Sequence, residues 1–108
     1  MNYQFIVEGY NHPKPESGMD LILHADEIVG VVSANTIAKI ELEGPEYKFE
    51  IVHLEKNREL RESLCSSDQY GGIGVKFISP KECIKPSSPM VWVNIFSGKR
   101  VKCVGVNA

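Results

Sequence analysis

The side chains with chemistry to offer are three histidines, three cysteines and a loose set of arginines and lysines. His12, His24 and His53 lie far apart, and no pair has helical i, i+4 spacing. His24 and Asp26 would share one face of a strand, but two ligands fall short of the four that close a structural zinc site. No metal and no cofactor is expected. A cysteine nucleophile needs a lowered pKa and a base within reach. Cys103 stands among valines and reads as a small core residue. Cys65 falls at the end of an expected helix, where the dipole opposes a thiolate. Cys83, between Pro80 and Pro86, is the cysteine expected at the surface; Lys81 would favour its thiolate, but no base is adjacent. The expectation is a protein that is not an enzyme, with His24, Asp26 and Cys83 as the residues on which the opposite case would rest.

Gly71, Gly72 and Gly74 follow Tyr70 closely. Phosphate loops run from a strand into a helix, so that the helix N-terminus faces the anion. Here the expected order is helix, glycines, strand, which reads as a helix end and a bend into a sheet. The remaining candidates are cations. Lys99, Arg100 and Lys102 cluster near the C-terminus, and Arg58 and Arg61 fall in the expected helix. With Tyr70, and with Trp92 and Phe96 as further stacking faces, they form a candidate binding set for a protein or an anion. Basic side chains beside aromatics suit single-stranded nucleic acid, but a pI near 5.9 lies far from the basic values of such binders.

The net charge of −2 conceals an uneven distribution. Residues 1–54 hold three lysines against nine carboxylates, and residues 55–108 hold nine basic side chains against five carboxylates. If the halves separate in space, the surface is polarised and steers a partner; if strands from both halves interleave, the field cancels.

These residues need a scaffold, and the central stretch, residues 37–54, supplies its pattern. Ala38, Ile40 and Leu42 alternate with Lys39, Glu41 and Glu43, then Tyr47, Phe49 and Ile51 with Lys48 and Glu50. A period of two is the mark of strands with one wet face, here joined by a turn at Gly44 and Pro45. Residues 2–8 read as a strand and 9–19, with Pro13 and Pro15, as a loop. Residues 20–33 suit either two short strands or a helix; the β-branched cluster after Glu27 and the internal Gly30 favour strands. Residues 56–65 are rich in helix formers, with Leu60 and Leu64 four apart and Asn57 as a cap, so one short helix is expected there. Residues 73–78 read as a strand and 79–89, with three prolines, as a loop. Residues 90–96 and 99–106 read as a hairpin turning at Ser97 and Gly98.

The expected fold is mainly β (α+β): a single domain, residues 1–108, forming a small rolled antiparallel sheet or barrel of about seven strands with one short helix. No apolar run reaches the ~20 residues that a membrane span needs, and the N-terminal residues lack a secretory pattern. Three scattered cysteines argue for reduced thiols. No membrane partner and a cytoplasmic location are therefore expected. The functional expectation is a non-catalytic protein-interaction domain of adaptor, accessory or inhibitor type, acting through surface loops and a polarised surface, with a protein partner and a homodimer as one form of it. The alternative is a binder of a nucleotide or single-stranded nucleic acid through the basic C-terminal half.

Overall fold

A computed structural model describes residues 3–42, 46–79, 89–98 and 100–106. In chain order the elements are β1 (Gln4–Asn11), a 3-10 turn (Pro15–Ser17), β2 (Leu21–Val29), β3 (Val32–Ser33), β4 (Thr36–Ile40), β5 (Lys48–Lys56), β6 (Glu59–Leu60), β7 (Ser63–Leu64), β8 (Gly71–Ser79), α1 (Pro89–Phe96) and β9 (Val101–Gly105). Six strands follow one another as β4, β9, β1, β2, β8 and β5, and β5 pairs back onto β4, which closes an antiparallel barrel. β6 extends the sheet beyond β5, and β3 pairs separately with β7.

The alternation read from the sequence decides which side chains enter the barrel. Phe5 and Val7, Leu21, Leu23 and Ala25, Ala38 and Ile40, Phe49 and Ile51, Ile73 and Val75, and Val101 and Cys103 are all buried. Ala38 lies opposite Phe49 across the central strand pair, so the small residue faces the large one. An eight-stranded barrel is just wide enough for side chains to fill it, and six strands enclose less. The interior is therefore taken up by the core, and ligand chemistry is left to the outer wall and the rims.

The one α-helix among the described residues is not where the sequence reading puts it. Residues 56–65 continue β5, turn at Asn57 and Arg58, and return as β6, with Lys56 opposite Glu59. Both turn residues have positive φ, 54° and 66°, which is the backbone of the two-residue hairpin turn that matches strand twist. Leu60 and Leu64, expected on one helix face, have opposite fates: Leu60 is 75% exposed and Leu64 is fully buried. Helix propensity is worth only tenths of a kcal/mol per residue, less than the ladder that ties β5 to β8 and the burial of Leu54 and Leu64.

The helix is instead α1, where a strand was expected. Pro89 occupies its first position, where a missing N–H costs nothing. Ser97 N–H closes the last turn onto the Val93 carbonyl at 2.9 Å, and Gly98 follows with φ of 67°. Val93 and Phe96, three apart, turn inward, and Phe96 is 1% exposed. The expected C-terminal hairpin is thereby replaced: β9 pairs with β1 and β4. Residues 20–33 are strands, but His24–Glu27 lies within one continuous strand, β2. The expected turn at Gly44 and Pro45 lies outside the described residues.

Two variants test this architecture. Phe49→Ala opens a large cavity in the barrel and is expected to lower unfolding free energy by about 3–5 kcal/mol in denaturant titration. Arg58→Gly removes a left-handed non-glycine residue and is expected to raise stability by roughly 0.5–1 kcal/mol; a loss of stability would contradict the turn geometry.

Candidate functional site

A cleft of about 130 Å³ opens on the outer wall, lined by Asn11, Ile22, His24, Glu55, Asn57, Arg58, Tyr70 and Gly72. Strand register assembles it. His24 of β2 and Glu55 of β5 both lie opposite Gly72 of β8, so the glycine is the floor between two side-chain walls. A Cβ at Gly72 would come within 2.9 Å of Glu55 Cγ. Two residues along the strand, Met19 packs its sulfur over Gly74. The β5–β6 turn brings Asn57 and Arg58 to the rim.

Tyr70 is set by the loop that precedes β8. Its N–H donates to the Ala25 carbonyl at 2.6 Å, while its φ of 65° turns the side chain outward, where it is 67% exposed. Asp68 knots this loop. Its Oδ2 accepts from the Cys65 backbone N–H at 2.9 Å and from the Cys65 thiol at 3.4 Å, and Oδ1 lies 3.4 Å from Arg61 Nη1. Lys56 Nζ donates to the Gln69 carbonyl, and the Gln69 side chain accepts from Ile28 N–H at 3.2 Å. The loop is thus tied to β2, to β5 and, through Arg61, to the segment that follows β6.

The cationic candidates do not form one surface. Arg61 is held by Asp68. Arg100 is surrounded by Glu8, Asp26, at 3.6 Å, and Glu27. Lys102 pairs with Glu41 at 3.5 Å. Lys99 lies outside the described residues. Arg58 and Tyr70 do come together, at the cleft, and of the described candidates Arg58 alone has no carboxylate partner among the described residues. The ion pairs at Arg100 and Lys102 join the acidic and basic halves of the chain, so in this region the charge division is cancelled by interleaved strands.

The catalytic set does not converge either. His24 lines the cleft, whereas Asp26 is turned to Arg100 and accepts from Glu27 N–H at 2.9 Å. Cys83 lies outside the described residues. Cys65 follows β7 and is not in a helix, and burial pushes the Cys103 thiol well above its usual range. No group of three or more His, Cys, Asp or Glu able to hold a metal occurs among the described residues. Phe96 is buried and offers no stacking face. Asn11, Ile22 and Asn57 were not recognised as site residues. Asn57 carries the missed signal: Asn before Arg58, between two polar-apolar runs, is a hairpin turn.

No family model, curated protein or solved structure matches the chain.

The Asp68 knot gives a pH test. The Cys65 N–H above all, then the Cys65 thiol and the Arg61 charge, hold the Asp68 carboxyl below its ordinary value of 3.8. A depressed folded pKa means that the stabilisation is complete above the ordinary value and is lost as pH falls through the folded one. Asp68→Asn is expected to be less stable than the parent chain at neutral pH, with the difference shrinking below pH 3.8. Urea titrations at several pH values read it, and a gap independent of pH would contradict the assignment.

Proposed function

We propose that this chain is a non-catalytic protein-interaction domain, of adaptor, accessory or inhibitor type, whose contact face is the outer wall around the β5–β6 hairpin. One observation carries the reading. Arg58 and Tyr70 both hold left-handed backbone, with φ of 66° and 65°, and both present their side chains at the same cleft. Such backbone costs a non-glycine residue about 1 kcal/mol or more, and its persistence is reason to look for a role. Arg and Tyr are also residue types that dominate the energetics of protein interfaces. Leu60 adds an exposed apolar side chain on β6, which ends the main sheet. In a closed barrel that short edge is a place where sheet pairing is still open to another chain.

Nucleotide or single-stranded nucleic acid binding has less support. It requires a continuous run of free cations, and three of the four described candidates are already engaged by the chain's own carboxylates. A cytoplasmic setting belongs to the same proposal. No helix among the described residues is long and apolar enough to cross a membrane, and Cys65 and Cys103 are free thiols. A second copy of the chain is one form the partner takes.

The test compares the parent chain with a Leu60→Ala, Tyr70→Ala double variant. Both side chains are well exposed, so the variant is expected to fold with unchanged thermal stability. Capture from native lysate of the source cells, with sedimentation velocity of the purified chain, is expected to show a partner or self-association that the variant loses by about tenfold or more. Retention of every partner by the variant, or no partner and a monomer throughout, would contradict the proposal.

A further inference from the structure

The cleft has a more specific chemistry than a general contact face. Asn11, Asn57, His24, Tyr70 and Arg58 all bring hydrogen-bond donors to it. Its one carboxylate, Glu55, faces His53 Nε2 at 3.4 Å with Oε2 while its Oε1 lies over the Gly72 floor. Arg58 therefore stands over a donor-rich hollow as the one described cation in it, and its planar guanidinium is shaped to grip a carboxylate through two parallel bonds. The volume, about 130 Å³, is well below the several hundred Å³ of sites that engulf whole small molecules. A single functional group enters, not a nucleotide.

The surroundings decide what carries that group. Beside Arg58 the neighbouring cations are engaged, Lys56 with the Gln69 carbonyl and Arg61 with Asp68, so a polyanion finds no continuous run of free cations there. Exposed Leu60 and Tyr70 offer apolar contact next to the charge, which a free inorganic anion has no means to use. A peptide with an acidic side chain beside an apolar one satisfies both. The geometry points to the cleft as the seat of an Asp or Glu side chain from the partner, with Arg58 as its counter-charge and the Asn11 and Asn57 amides completing its hydrogen bonds. This inference rests on the interaction reading and names the chemistry of its partner.

The experiment is a titration of the full ¹⁵N-labelled chain, followed by amide chemical shifts. The probes are a blocked peptide with one glutamate flanked by leucines, its glutamine-for-glutamate counterpart, inorganic phosphate and a short oligothymidylate. The proteins are the parent chain, Arg58→Gln, Arg58→Lys and, as a remote control, Lys14→Gln. The expected result is a saturable shift at Asn57, Tyr70 and Gly72 with the glutamate peptide. Affinity should fall about tenfold for the glutamine peptide and about tenfold in Arg58→Gln. Arg58→Lys should lie between, and Lys14→Gln should match the parent. The same spectra report whether each variant is folded. Equal affinity for the two peptides, no shift at these amides, or tighter binding of phosphate or oligothymidylate would overturn the inference. Should Leu60→Ala, Tyr70→Ala abolish partner capture while both peptides bind alike, the interaction reading survives and the carboxylate seat alone falls.

Discussion

Closure of the barrel is the constraint on which the structure depends. β4 is the strand that completes it, pairing with β5 through Thr36–Lys39 and with β9 through Ala38–Ile40. Without the second pairing, β9 and β4 would each present an open edge, and the apolar row of the central hairpin would lack its cover. With it, Ala38, Ile40, Phe49, Ile51 and Cys103 converge on one dry interior. The result is a cylinder too narrow to hold anything but its own side chains. Function is pushed outward by that fact alone.

The outer wall owes its relief to what closure leaves over. β6 and the β3–β7 pair take no part in the closed ring. Their connections carry the left-handed residues Asn35, Asn57 and Arg58, and the loop ahead of β8 carries Tyr70. Asparagine adopts this conformation at small cost, whereas arginine and tyrosine do so less readily. Gly72 gives the cleft depth because two neighbouring strands lean side chains across it. The site is thus a product of register between four strands, with the loop knotted by Asp68 holding its aromatic wall in place.

Much of the fold was legible because barrel strands with one wet face write their burial into alternate positions. Ala38, Ile40, Phe49 and Ile51 point inward as their spacing required, and Val101 and Cys103 do so on β9 even though the hairpin expected to carry them does not form. The errors occurred where local preference and tertiary pairing disagree. Residues 56–65 favour helix by composition, but the Asn57–Arg58 turn lets Leu64 reach the core, and that outweighs propensity. Residues 90–96 are apolar but for Asn94, so periodicity could not separate strand from buried helix; Pro89 and Gly98 were the available markers. The site was half legible. Arg58 and Tyr70 stood out by type, whereas Arg100 stood out equally and is occupied by Glu8, Asp26 and Glu27, which lie more than seventy positions away along the chain. Pairing at that separation is set by the fold, not by any local pattern.

Closure through β4 is best tested by nuclear Overhauser contacts between strand backbones. The account predicts that Ala38 shows cross-strand contacts to Phe49 on one side and to Gly105 on the other, with Lys39 similarly placed against Lys48 and Val104. A β4 that contacts β5 alone, with no signal to β9, would mean an open sheet and would contradict the account.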